Sequence, residues 1–309
     1  MVRARRPAGP GDRNDPHAQA RAARRAPLLL HSLSVFQEIF ELLFTHRRIA
    51  TVVEIGVETG QASTLYTELG ASDVYCVEPR PSPALRATID AHDGLRLVEA
   101  PSPQALEGIP VADLYVIDGD HNYATVKQEL DWILHYAPGA VAVLHDVLWP
   151  CGRRDTYYQP SRLPAPHEAT ADGPTVWHDD TTPAGLVGMG AFTTASHAGG
   201  ELNGVLTAVE DALRDAASPE PRMALIPAVF GLGIVLRPTS DDKQLLPLLE
   251  RYQNSALLAA MEDNRIALYT RILQLQYEAA RHAEHADALA NTISQLRART
   301  DDLERGNRQ

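Results

Sequence analysis

Lysine is nearly missing from this 309-residue chain: Lys127 and Lys243 are the only two, so arginine carries almost all the positive charge. The formal net charge is -12. A protein that grips nucleic acid needs a basic face to displace phosphate counterions, and this balance excludes a general binder of that kind. Cysteine is also scarce. Cys76 and Cys151 form no C-x-x-C pair and are too few for a disulfide framework, which fits a reducing, cytoplasmic setting. No apolar run reaches the length of a membrane span, so no membrane association is expected.

What is present divides into three materials. Residues 1–26 are rich in Arg, Ala and Pro and read as a disordered basic tail. Leu29, Leu33, Phe36, Phe40 and Leu43 then repeat at helical spacing and predict an amphipathic helix. From residue 50 to 147, apolar strands alternate with helical segments. "ATVVEIG", "DVYCVEP", "LRLVEA", "ADLYVIDGD" and "AVAVLHDV" read as five buried strands. "QASTLYTELG", "SPALRATIDAH" and "YATVKQELDWILHYA" read as the helices between them, with Ser82 and Pro83 in cap and first-turn positions. Continuous apolar strands alternating with helices mean a parallel sheet covered on both faces. "RMALIPAVFGLGIVLR" adds an antiparallel pair. The expected fold is α/β: a Rossmann-like, doubly wound, mostly parallel seven-stranded sheet with an antiparallel edge pair.

Between them, residues 149–200 break the pattern with Pro, Gly, aromatics and charge. A loop this long in a compact domain is most often functional, and it is the natural lid over a substrate. Trp149, Arg153, Arg154, Tyr157, Tyr158, Trp177 and His178 are its candidates for acceptor recognition, and the Arg153-Arg154-Asp155 run either pairs locally or holds an anionic substituent. The third material is residues 241–309, expected to be helical. Apolar residues recur there at alternating steps of three and four from Leu258 to Leu303. That heptad spacing predicts a coiled-coil-like extension, hence a homodimer or a partner helix through residues 258–303.

"VVEIGVETGQAS" raises the question of a ligand. A dinucleotide loop would read G-x-G-x-x-G, but Glu58 stands where the second glycine belongs, between Gly56 and Gly60. Such a loop is less suited to a pyrophosphate, which argues against a nicotinamide-dependent dehydrogenase. Glu54 at the first strand end could hold an amino group. Glu78 at the second strand end could accept hydrogen bonds from ribose hydroxyls. A ligand with a ribose and an amino or cationic part fits these groups. Further on, "IDGDH" and "LHDV" bring Asp118, Asp120, His121, His145 and Asp146 to neighbouring strand ends, where they could bind a divalent metal or act as a base and its orienting partner.

"VVEIGVETG", "VYCVEP" and "LYVIDGDHNYATVKQELDWILHYAPGAVAVLHDV" resemble the successive motifs of class I S-adenosylmethionine-dependent methyltransferases, over roughly residues 50 to 236. By that resemblance, residues 27–240 are a methyltransferase domain that takes S-adenosylmethionine. Glu54, Gly56 and Gly60 would line its methionine end, with Asp118 close by. Glu78 would hold the ribose, and Ser102 would face the adenine. The strand-four and strand-five motifs are similar to those of metal-dependent O-methyltransferases, with His121 where that family has a lysine and His145-Asp146 where it has an acid–amide pair. The resemblance implies a small-molecule acceptor methylated at a hydroxyl, and the composition fits a natural-product or sugar pathway. It gives catalytic roles to Asp118, His145 and His121, the last as base, and a Mg²⁺-type ion on Asp118, His145 and Asp146. Two other readings stand beside it: a metal-independent N-methyltransferase, and a non-catalytic scaffold that works through its coiled coil.

Overall fold

The computed structural model describes residues 14–26, 32–158, 175–177, 180–182 and 193–306. Strands β1 (Thr51–Ile55), β2 (Asp73–Val77), β3 (Leu95–Val98), β4 (Leu114–Ile117) and β5 (Val141–His145) alternate with helices α3 (Gln61–Glu68), α4 (Pro83–Asp90) and α5 (Tyr123–Tyr136). Before them stand α1 (Ala18–Ala23) and α2 (Gln37–His46). After them come the short strands β6 (Thr156–Tyr157), β7 (Thr175–Trp177), β8 (Asp180–Thr182) and β9 (Thr193–Thr194). Helix α6 (Val205–Asp215), strands β10 (Arg222–Ile226) and β11 (Leu232–Leu236), and helices α7 (Leu245–Gln253) and α8 (Ala256–Gly306) complete the order.

The seven-stranded sheet runs β10-β11-β5-β4-β1-β2-β3. The first five strands pair in parallel; β11 is antiparallel to both β5 and β10. The expected fold is therefore the observed one, with β10 at the edge and β11 inside it. Successive residues point to opposite faces, and both faces are covered. Val52, Val74, Val116, Val143 and Ile234 pack with Phe40, Leu43 and Tyr66 on one side. Val53, Tyr115, Ile117, Leu144 and Val235 pack with Leu130, Ile133 and Val209 on the other. Burying one such side chain contributes about 1.5–3 kcal/mol, which explains why β4, and β5 up to His145, are so apolar.

Local chemistry sets the helix ends. Ser82 accepts from the Leu85 amide at 3.1 Å with Pro83 next to it, as the sequence suggested. Asn122 caps α5 through the Thr125 amide at 2.9 Å, a signal the sequence reading passed over. The amphipathic helix starts later than its spacing implied. Ser32 opens a 3₁₀ turn over Leu33–Phe36 and α2 follows, with Leu33, Phe36, Phe40 and Leu43 buried; residue 29 lies outside the described residues. The expected tail at 1–26 is described from residue 14, and there the run AQARAA makes α1, with no buried residue. Alanine, the strongest helix former, accounts for it. Of the 149–200 insert, residues 159–174, 178–179 and 183–192, and so His178, lie outside the described residues.

Candidate active site

The strand order reverses between β1 and β4, and open α/β sheets bind ligands in the crevice beyond such a point. Backbone bonds hold the crevice walls: the Asp118 amide donates to the Ile55 carbonyl at 2.8 Å and the Gly56 amide to the Val77 carbonyl at 3.0 Å. Gly56 has φ +82, and a Cβ there would sit 2.3 Å from the Asp118 carbonyl oxygen. Only glycine fits where β1 leaves the sheet so close to β4. Gly60, φ +77, is the N-cap of α3 and faces Leu85 and Thr88 of α4. Glu58 between them is exposed.

Glu54 lies one residue inside the end of β1 and is buried, with the Ser63 hydroxyl of α3 donating to its carboxyl. Burial pushes its pKa up to about 8; the Ser63 bond opposes this, and the charge of Asp118 adds to it. It is therefore largely neutral at pH 7 in the ligand-free protein. Beside it, within electrostatic reach, the buried Tyr66 hydroxyl has no hydrogen-bond partner among the described residues. A neutralised carboxyl and an orphaned hydroxyl are polar groups that an incoming ammonium would satisfy. At the end of β2, Glu78 accepts from the Val57 amide at 3.3 Å and the Arg80 amide at 2.9 Å. It thus ties the β1 loop to the β2 end and keeps lone pairs for further donors. Ser102, after β3, donates to Glu129 of α5. Glu129 is fully buried, burial raises its pKa to about 8, and its Oε2 has no partner among the described residues.

The second cluster closes the ends of β4 and β5. His145 Nδ1 lies 3.0 Å from Asp118 Oδ1 and 3.4 Å from Asp146 Oδ2, while His121 Nε2 lies 3.2 Å from the same Asp146 oxygen. His145 Nε2 meets the Val229 carbonyl at 2.9 Å and so carries a proton there. The Phe36 ring packs edge-on at 5.9 Å. Burial alone would depress the His145 pKa, but Asp118 and Asp146 outweigh it and hold the ring well above the usual histidine range. Asp118, His145 and Asp146 can each offer one ligand atom, all within 4.8 Å of one another. That is three protein ligands, with the imidazole nitrogen favouring a transition-series ion over a purely oxygen-seeking one.

Of the five acidic or imidazole groups predicted at the ends of β4 and β5, Asp118, His121, His145 and Asp146 thus converge, and Glu54, Gly56 and Gly60 stand at the neighbouring strand end. Some residues of the insert are committed elsewhere. Arg153 pairs with Glu210 at 2.6 Å, and Arg154 is buried with its guanidinium donating to the Ala195 carbonyl. Asp155 accepts from the amides of Tyr123 (2.7 Å) and Gly204 (2.6 Å), which fastens the insert to the start of α5 and α6. Tyr158 does reach the site, its ring 6.2 Å from that of His121. Ser63, Tyr66, Glu129 and Glu262 were not anticipated. Glu129 had one available signal, since it falls three residues after Val126 on the buried stripe of α5.

Residues 53–147 match a family model described as a methyltransferase domain. The matched residues run from β1 to β5, the stretch whose motifs resemble class I S-adenosylmethionine-dependent methyltransferases. No curated protein matches the chain. Among solved structures, it is similar to an amino pentose methyltransferase from Micromonospora echinaspora involved in calicheamicin biosynthesis, with S-adenosylmethionine bound (15% identity, TM-score 0.39, 71% of this chain and 95% of that one). It is also similar to a Podospora anserina methyltransferase with S-adenosylhomocysteine bound (15%, 0.41, 71% and 86%). A methyltransferase from Geobacter sulfurreducens is a third (12%, 0.38, 72% and 86%). Among the described residues no helix is long and apolar enough to cross a membrane.

Proposed function

We propose that the protein transfers the methyl group of S-adenosylmethionine to a hydroxyl of a small molecule, a natural product or sugar, in the cytoplasm. The carrying observation is the convergence of Asp118, His121, His145 and Asp146 beside the β1–β4 crevice. Glu54, with the Tyr66 hydroxyl, would take the ammonium of the methionine end; Glu78 would take the ribose and Ser102 the adenine. S-adenosylmethionine supplies an already activated methyl group, so the protein's tasks are alignment, water exclusion and handling of one proton. With Nε2–H of His121 directed at Asp146, Nδ1 is left to take the acceptor's proton as its oxygen bonds to the methyl carbon and the carbon–sulfur bond breaks. A divalent ion, where bound, would be held by Asp118, His145 and Asp146 and would acidify and orient the hydroxyl. The 149–200 insert would cover the acceptor, and the heptad face of α8 would pair with a second copy of the chain. Calorimetric titration with S-adenosylhomocysteine tests this reading. Saturable binding that Glu78→Ala weakens about tenfold or more, the loss expected for a charged hydrogen-bond acceptor, supports it. No binding by the unaltered protein up to about 1 mM overturns it.

A further inference from the structure

The C-terminal helix reaches the candidate active site through one carboxylate. Glu262 on α8 is buried, and its two oxygens accept from the amides of Val229 (3.0 Å) and Phe230 (2.8 Å). Arg265, one turn on, donates to the same oxygens at 2.7 and 2.6 Å and stacks its guanidinium 4.4 Å over the Phe230 ring. Burial alone would raise the Glu262 pKa; the bonds from Arg265, Phe230 and Val229 outweigh it and hold the group charged. Tyr269 and Leu273 of α8 close over Phe230, with Trp149 against them.

The segment gripped in this way is under backbone strain. Val229 has φ 47 and Phe230 φ 65, both in the left-handed region without being glycine, and Val229 is β-branched. Such a pair persists only where its surroundings over-determine it. Two adjacent amides turned toward one carboxylate provide that determination. The Val229 carbonyl, on the same residue, then faces the other way and accepts the Nε2 proton of His145 at 2.9 Å. This bond decides which nitrogen of His145 is committed and leaves Nδ1 facing Asp118 and Asp146.

We propose that Glu262 is a positioning residue for the candidate active site: through the Val229–Phe230 turn it fixes the orientation of His145, so that the β4–β5 cluster is complete only with the C-terminal helix docked. The proposal deepens the methyltransferase reading but does not need it for its test. The probe is the His145 Nε2 proton, followed by its hydrogen exchange in protein labelled with ¹⁵N-histidine. In Glu262→Gln, which loses one of the two amide bonds, that proton exchanges about tenfold faster or more, the effect of weakening one hydrogen-bonded anchor. The indole N–H of Trp132 on α5 keeps its rate, which a general loosening of the fold would not allow. Glu262→Asp retains the charge with a shorter reach and gives an intermediate rate. Unchanged His145 exchange in Glu262→Gln overturns the proposal, as does failure of both variants to fold, since Glu262 would then serve the fold and not the site. A wild type that does not bind S-adenosylhomocysteine but shows this contrast would sink the proposed function and leave the positioning role standing.

Discussion

His145 and Asp118 meet at 3.0 Å across the ends of two neighbouring strands, although 27 residues separate them in the chain. Their contact, with Asp146 beside it, gives the cluster its capacity to hold a cation. Asp146→Asn replaces one carboxylate ligand with a neutral amide and leaves the β1 loop untouched. Mn²⁺ affinity, followed by electron paramagnetic resonance, should fall about tenfold or more. S-adenosylhomocysteine affinity should stay within about twofold. Equal Mn²⁺ binding by both proteins would place the cation elsewhere and leave His121 with Asp146 as a metal-free dyad.

Glu54 gives a prediction in pH. Its folded-state pKa, about 8, lies above the ordinary value of 4.5, so folding favours the protonated form. The stability this provides is fully present below about 4.5 and is lost as pH rises through about 8. Glu54→Gln mimics the neutral form at every pH. The variant should therefore melt close to wild type at pH 5 and progressively higher than wild type up to pH 9, an advantage on the order of a few kcal/mol. A constant difference across that range would mean that Glu54 does not titrate as a buried acid.

Ligand binding should reverse this preference. An ammonium placed at Glu54 needs the carboxylate, so binding of S-adenosylhomocysteine in the proposed mode expels a proton between about pH 4.5 and 8. Calorimetry at pH 7 in buffers of different ionisation enthalpy should register proton release in wild type and much less in Glu54→Gln. Identical proton counts would remove Glu54 from the methionine end.

Gly56 separates a requirement of the fold from a requirement of the ligand. An alanine Cβ would overlap the Asp118 carbonyl oxygen at 2.3 Å, and φ +82 strains any side chain. The backbone strain alone costs about 1–3 kcal/mol. Gly56→Ala should lower the melting temperature by about 2–12 °C, at roughly 2–4 °C per kcal/mol in a domain this size. Glu58, exposed two residues on, should behave differently. Glu58→Gly supplies the second glycine of a dinucleotide loop but leaves the third at 60, one residue short of that spacing, with Gln61 in its place; it should leave S-adenosylhomocysteine binding within about twofold and confer no binding of NAD. Gain of NAD binding would mean that the missing glycine, and not the wider arrangement, excluded that ligand.

The sequence carried the sheet because the central strands β1, β4 and β5 are buried almost throughout and so are mostly apolar, while the edge strand β3 leaves Arg96 at the surface. It carried the ends of β4 and β5 because polar residues there interrupt apolar runs abruptly, as in "VIDGDH" and "VLHDV". It could not carry the partners that tertiary folding supplies. Ser102 finds Glu129 across 27 residues, Val229 finds Glu262 across 33, and neither pair belongs to a local motif. The same limit applies to β11. Its antiparallel character followed from a short turn, but its place beside β5 depends on Leu232 pairing with His145. The Arg153-Arg154-Asp155 run looked available for a ligand because its charges are conspicuous in sequence; folding commits them to α5, α6 and β9 instead.

Helix α8 carries the last prediction. Its most buried residues, Glu262, Tyr269, Thr270 and Leu273, are not at the heptad positions, although Leu258 and Arg265 at the start of the series also touch the domain. Leu268, Leu275, Leu289, Ile293, Leu296 and Leu303, which are at heptad positions, remain exposed. Every residue from 278 to 305 is exposed, so this part of the helix gains nothing from packing an apolar face, the main source of helix stability in proteins. A second copy of the chain, parallel and in register, would cover the seam. With Leu258 at the first heptad position, Arg299 of one helix would lie opposite Glu304 of the other, twice by symmetry, which gives that arrangement charge complementarity. Leu296→Asp should convert a dimer into a monomer in sedimentation at micromolar concentration without changing the melting of the domain, because Leu296 is 58% exposed. Arg299→Glu should weaken the dimer several-fold and the added change Glu304→Arg should restore it, each pair contributing about 0.3–0.5 kcal/mol. An antiparallel or staggered pairing would not show that rescue, and a monomeric wild type would leave the stripe to some other helix.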